Sequence, residues 1–139
     1  MKKFRCSGYA SVFDMIDEDN DNIHMGAFKD EIKYMIGLPV LAGHDRMMPI
    51  GRLVAAKERI YGLYVTMELF PDIAKASEYI KLVEGGMRMG LSIGYRVLRS
   101  ETLKNNQVRH LYKLKLLEIS MVAVPANSFC LVDKWKGKK

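Results

Sequence analysis

An α+β fold, mostly antiparallel strands closed or nearly closed into a β-barrel with a few helices around it, is what the hydrophobic pattern of this chain predicts. Leu63, Val65, Met67 and Leu69 alternate with Tyr64, Thr66 and Glu68, the period of a half-buried strand. Leu91, Ile93, Tyr95 and Val97 alternate in the same way with Ser92, Gly94, Arg96 and Leu98. Between the two runs, Ile73, Ala76/Ser77, Ile80 and Val83 make a helical stripe that opens after Pro71-Asp72 and stops at Gly85-Gly86. Many strands with few helices point to a barrel rather than to a parallel α/β sheet.

The remaining elements follow in order. Residues 4–13 read as a first strand, and an acidic loop carrying Asp14, Asp17, Glu18, Asp19 and Asp21 follows. Phe28, Ile32 and Met35/Ile36 share one helical face, which predicts a short helix over 26–36, ended by Gly37-Leu-Pro. Val40-Leu41-Ala42 leads as a strand into Gly43-His44, and residues 50–58 pair with 63–70 as a hairpin. After strand 91–98 comes a polar turn around Lys104-Asn105-Asn106-Gln107, then a long strand from about Val108 to Val124, closed by Pro125-Ala126-Asn127.

The chain has 139 residues, one domain spanning 1–139, with a basic tail from about 134. Hydrophobic residues make up 49% and charged residues 27%, as in a soluble globular protein, and no apolar run approaches membrane-spanning length. The start, Met-Lys-Lys-Phe-Arg-Cys-Ser-Gly, lacks the apolar core of a signal peptide, so the chain is expected to stay where it is made. Cys6 and Cys130 match no metal-ligand spacing and read as two buried thiols in a reducing compartment. The net charge of +6 raises nucleic acid as a partner, but the basic residues are spread along the chain without interleaved exposed aromatics. Asp17, Asp19 and Asp21 imitate the opening of a calcium loop, yet Asn22 stands where that loop needs Gly and Phe28 where it needs Glu. No cofactor or metal is therefore expected.

The most informative feature is the pair His44 and Ser92. Ser92 lies in Gly90-Leu-Ser-Ile-Gly94, and His44 lies 48 positions before it in Gly-His-Asp. A serine hydroxyl becomes nucleophilic when an imidazole takes its proton. In α/β-hydrolases the Gly-x-Ser-x-Gly serine sits on a strand-to-helix elbow and the histidine follows it. Here the histidine precedes and a strand follows, so a serine hydrolase would stand on a β scaffold. Counting by twos from Tyr112 puts Leu114, Leu116, Glu118 and Ser120 on one face, unless a bulge shifts the register. A carboxylate on an apolar face needs a partner. An imidazole N–H would serve, and so would a salt bridge to Arg52 or Arg96. Asp45 is a rival acid, awkwardly close to His44. Met47-Met48 and Met87/Met89 are candidates to line a substrate groove or to pack the core.

Taken in order, the blocks Gly8-Tyr-Ala-Ser-Val-Phe-Asp, His24-Met-Gly-Ala-Phe, Leu38-Pro-Val-Leu-Ala-Gly-His-Asp, Pro49-Ile-Gly-Arg, Gly62-Leu-Tyr-Val, Gly90-Leu-Ser-Ile-Gly-Tyr, Leu117-Glu-Ile-Ser-Met-Val and Val124-Pro-Ala-Asn span nearly the whole chain. In these the chain resembles the prohead proteases of tailed bacteriophages, serine proteases related to the herpesvirus assembly proteases. The resemblance implies an assemblin-like β-barrel wrapped by helices. It implies His44 as general base, Ser92 as nucleophile and Glu118 as orienting acid, with backbone N–H groups of Ala126 and Asn127 as the oxyanion hole. The herpesvirus relatives use a second histidine as third member, which makes His110 the rival of Glu118. The implied substrate is the scaffolding protein or scaffolding segment of the major capsid protein, cut within the procapsid in the host cytoplasm. Self-cleavage and a homo-oligomer, dimer or higher, are implied too; composition and charge distribution lead to the expectation of neither nucleic acid nor membrane as a partner. The alternative readings are a non-catalytic capsid-assembly or scaffolding module of the same fold and a small basic β-barrel that binds nucleic acid.

Overall fold

A computed structural model describes residues 1–103 and 105–136. Its elements run β1 (Phe4–Val12), β2 (Asp21–Ile23), a 3-10 turn (Ile32–Tyr34), β3 (Pro39–Ala42), β4 (Pro49–Arg59), β5 (Gly62–Leu69), α1 (Ala74–Glu84), β6 (Gly90–Thr102), β7 (Arg109–Val122) and β8 (Val132–Trp135). One sheet holds all eight strands in the order β2-β7-β3-β4-β5-β1-β8, with β6 paired to β7.

The predicted hairpin forms as β4 and β5, and its alternating residues Leu63, Val65, Met67 and Leu69 all have their side chains in the core. Burying each such side chain contributes about 1.5–3 kcal/mol. Helix α1 lays Ala76, Ile80 and Val83 onto that core. It ends where Gly86 takes a φ of +96°, a conformation that glycine reaches without the Cβ clash of other residues.

Strand β7 organises the site. Strand β6 follows one of its edges, while β2 and β3 pair with its two ends in parallel, so the sheet is mostly but not wholly antiparallel. Opposite β6, the ladder passes from Glu118–Gly94 to Leu116–Tyr95, and Leu117 bulges out. That bulge corrects the phase read from the sequence. Leu114 and Leu116 are in the core before it, Ile119 and Met121 after it, and Glu118 and Ser120 turn to the other face.

The barrel is open. Among the described residues no continuous ladder joins the ends of the sheet; β6 and the start of β8 meet at the isolated Gly90–Leu131 bridge, flanked by Leu91 N–H to Cys130 O and Val132 N–H to Met89 O. The helix expected over 26–36 is also absent as an α-helix. Turns and the 3-10 turn occupy the segment, because the Glu58 carboxylate takes the N–H groups of Gly26 and Phe28, and Gly26 and Gly37 adopt positive φ. Phe28 and Met35 still reach the core. Lys134, where the basic tail was expected to begin, belongs to β8, which pairs with β1. Lys104, Lys138 and Lys139 of the sequence reading lie outside the described residues. Among the described residues no helix is long and apolar enough to cross a membrane.

Candidate active site

Three neighbouring strands bring His44, Ser92 and Glu118 together. On β6 and β7, Ser92 stands opposite Ser120 and Gly94 opposite Glu118, so these four share one patch of sheet. Strand β3 runs parallel along the other edge of β7 and ends at Ala42, beside Met121. The chain then turns sharply, with Gly43 at φ +60° and His44 at φ +63°. A left-handed conformation costs a non-glycine residue roughly 1–2 kcal/mol. The turn is held by Gly43 N–H to Met121 O at 2.9 Å, Asp45 N–H to Ala42 O at 3.0 Å, and His44 N–H to Ser120 Oγ at 3.1 Å.

The side-chain hydrogen bonds have one consistent direction. The Glu118 carboxylate can only accept, so the His44 Nδ1–H donates to Oε1 over 2.7 Å. That leaves Nε2 as an acceptor, and the Ser92 hydroxyl donates to it over 2.9 Å. The Ser120 hydroxyl donates to Glu118 Oε2 over 2.6 Å and accepts the His44 N–H. Glu118 is buried, and two donors satisfy its two oxygens. The His44 side chain is 43% exposed, so its ring edge is open to an incoming molecule. The arrangement can take a proton from Ser92 and stabilise the imidazolium that results.

Arg52, Asp45 and His110 each have other partners. Arg52 pairs with Glu68 at 3.0 Å and not with Glu118. The Asp45 carboxylate accepts the N–H of Met47 within its own loop. His110 sits eight residues before Glu118 on β7, roughly 25 Å away at strand spacing, and its Nδ1 is 2.8 Å from His24 Nε2. Met89 is core, Met48 packs against the core and Met47 is exposed.

Beside Ser92 lies a narrow cavity of about 50 Å³, bordered by Tyr95, Asp17, Cys130, Ala126 and Asn127. The N–H groups of Ala126 and Asn127 have no hydrogen-bond partner among the described residues, while Ala126 O accepts the Glu18 N–H at 3.3 Å. The acidic loop is used internally: Asp17 Oδ1 takes the N–H groups of Asp19 and Asp21. Asp21 is buried against the Arg109 guanidinium and the Tyr95 hydroxyl. Burial pushes its carboxyl up, but those hydrogen bonds outweigh burial and hold it below the usual carboxylate range. Burial alone pushes the Cys6 thiol up to about 12, and burial reinforced by Asp17 does the same to Cys130.

Sequence reasoning missed Ser120 and Gly94. Ser120 had a signal, since it lies two residues from Glu118 on the same face. Gly94 had a weaker one, as the second glycine of the Ser92 motif.

A serine held on an imidazole whose far nitrogen rests on a buried carboxylate, at the edge of a mostly antiparallel sheet, defines the geometry of a serine-hydrolase type of site. Residues 2–137 match the model of the Caudovirus prohead serine protease family, and the chain belongs to that family. It is 30% identical over 123 residues to the prohead protease of Enterobacteria phage HK97, covering 86% of this chain and 55% of that protein. To the prohead protease of Escherichia phage T5 it is 29% identical, covering 86% of this chain and 57% of that protein. The chain thus spans a little over half the length of these relatives. Its fold is similar to the bacteriophage T4 capsid assembly protease, with a TM-score of 0.69 at 13% identity over 87% of this chain and 82% of that one. It is also similar to the varicella-zoster virus protease, with a TM-score of 0.64 at 10% identity over 99% of this chain and 65% of that one.

Proposed function

We propose that this protein is a serine endopeptidase of phage procapsid maturation, with Ser92 as nucleophile, His44 as general base and Glu118 as orienting acid. The observation that carries the reading is the directed path from Ser92 Oγ to His44 Nε2 at 2.9 Å and from His44 Nδ1 to Glu118 Oε1 at 2.7 Å. His44 takes the hydroxyl proton as Ser92 attacks a peptide carbonyl, then gives it to the departing amine, leaving an acyl-enzyme. Water, activated by the same imidazole, releases the acid and restores the serine. The oxyanion of each tetrahedral intermediate is stabilised by N–H groups of Ala126 and Asn127, a role supported by their position on the cavity that Ser92 shares and by their unengaged N–H groups.

The substrate is polypeptide: the scaffolding protein, or the scaffolding segment of the major capsid protein, with self-cleavage accompanying it. The reaction takes place inside the procapsid, in the bacterial host cytoplasm, by a homo-oligomer of this chain. Family membership supports this setting. Co-expression with the major capsid protein of the same phage, followed by mass spectrometry of new termini, tests the reading. New termini with the wild-type chain and none with Ser92→Ala are expected. Identical termini with both would overturn it and leave the non-catalytic assembly module standing.

A further inference from the structure

The basic residues that looked dispersed along the chain converge on one face of the sheet. Across β8, β1, β5 and β4 the ladder aligns Lys134 with Ser7, Ser7 with Thr66, Arg5 with Glu68, and Glu68 with Arg52. A cleft of about 550 Å³ opens on this face, with Arg5, Arg59, Lys134 and Lys136 around it. The Ser7 and Thr66 hydroxyls, 3.0 Å apart, line it as well.

Among the described residues, cations outnumber carboxylates there: Lys3, Arg5, Arg52, Arg59, Lys134 and Lys136 against Glu68 and Asp133. Glu68 is shared by Lys3, Arg5 and Arg52. The other nearby carboxylate, Asp133, accepts the Tyr64 hydroxyl at 2.9 Å. Like charges held together on one surface favour an anionic partner. The surroundings of the two rings that line the cleft, Tyr64 and Trp135, favour one kind. A base needs a free ring face to stack on. The Arg59 guanidinium lies 3.8 Å over the Tyr64 ring, Tyr9 packs edge-on against Tyr64 at 5.0 Å, and Trp135 leans on Phe4 at 6.0 Å. Carboxylates need no such platform, and guanidinium and ammonium groups beside hydroxyls suit them.

We propose that this cleft is a docking site for an acidic segment of polypeptide, separate from the bond-cleaving site, and that it recruits the polypeptide on which the enzyme acts. The recruiting role rests on the protease reading above; the binding site itself does not.

The test is fluorescence anisotropy of a fluorescein-labelled oligoglutamate peptide with the folded Ser92→Ala protein, which keeps binding and catalysis apart. Saturable binding is expected, weakened about tenfold between low and physiological salt. Arg59→Glu with Lys134→Glu should weaken it a further tenfold or more, and the milder Arg59→Gln with Lys134→Gln severalfold. Reversing the exposed Lys29 and Lys81, which do not line the cleft, should leave it within twofold. Equal loss on reversing Lys29 and Lys81, or binding of an oligothymidylate of equal length in place of the peptide, overturns the proposal. In the active enzyme the Arg59 and Lys134 variants should raise KM for an acidic-tailed substrate and leave kcat, and cleavage of a short neutral peptide, unchanged. Peptide binding without proteolysis by the wild-type enzyme would sink the protease reading alone, and proteolysis without binding the docking site alone.

Discussion

Gly94 stands directly opposite Glu118 across the β6–β7 ladder, and a Cβ on Gly94 would overlap the Glu118 carboxylate oxygen that holds His44. The glycine is a steric requirement of the site, at a residue that touches neither His44 nor Ser92 by hydrogen bond. Gly94→Ala should displace the carboxylate, lower kcat by about 10–100-fold and cost about 1–3 kcal/mol of stability. Urea unfolding and peptide-cleavage kinetics check both. Wild-type kcat in the alanine variant would show that the carboxylate position is irrelevant.

The third member of the site is decided by comparing two substitutions. Glu118→Gln should keep the fold and lose about 10²–10⁴-fold in kcat, as triad acids do elsewhere. His110→Gln, whose ring partners His24, should remain within a few-fold of wild type. The reverse pattern, with both variants folded by circular dichroism, would move the orienting role to His110.

Ser120 touches the site twice, through Glu118 Oε2 and through the backbone N–H of His44. Ser120→Ala leaves a buried carboxylate oxygen without its donor, a loss of about 1–3 kcal/mol. The same change removes one of the three hydrogen bonds that hold the left-handed His44 turn. We expect kcat to fall about tenfold, partly restored in Ser120→Thr, which keeps the hydroxyl. An unchanged kcat in Ser120→Ala would remove it from the positioning of His44.

Asp21 sets an acid limit on stability. Because hydrogen bonds from Arg109 and Tyr95 outweigh burial and hold its folded carboxyl below the usual range, its contribution is complete above the unfolded value of about 4. That contribution is lost as pH falls through the lower folded value. Asp21→Asn should therefore be less stable than wild type near neutrality. Unfolding free energies measured from neutral pH downward should show the gap to wild type shrinking below pH 4. A gap independent of pH would mean that the carboxylate charge contributes nothing.

The sequence by itself determined the strands and helix with unbroken periodicity: the β4–β5 hairpin, α1, and the start of β6 with Ser92 between two glycines. It also singled out His44, Ser92 and Glu118, because a histidine between glycine and aspartate at a strand end, a serine framed by glycines and a carboxylate in an apolar run are each conspicuous in their local sequence. Where local and distant interactions compete, tertiary structure decided. The side chain of Glu58, far along the chain, captures Gly26 and Phe28 and denies the 26–36 segment its α-helix. Three-residue β2 and four-residue β8 exist through their partners β7 and β1, not through any pattern of their own. The face on which Glu118 stands was set by the Leu117 bulge, since one extra residue in a period of two reverses every side chain beyond it. The left-handed turn at His44 and the basic cleft arise in the same way, from groups brought together only after the sheet has formed, which is information that no local spacing carries.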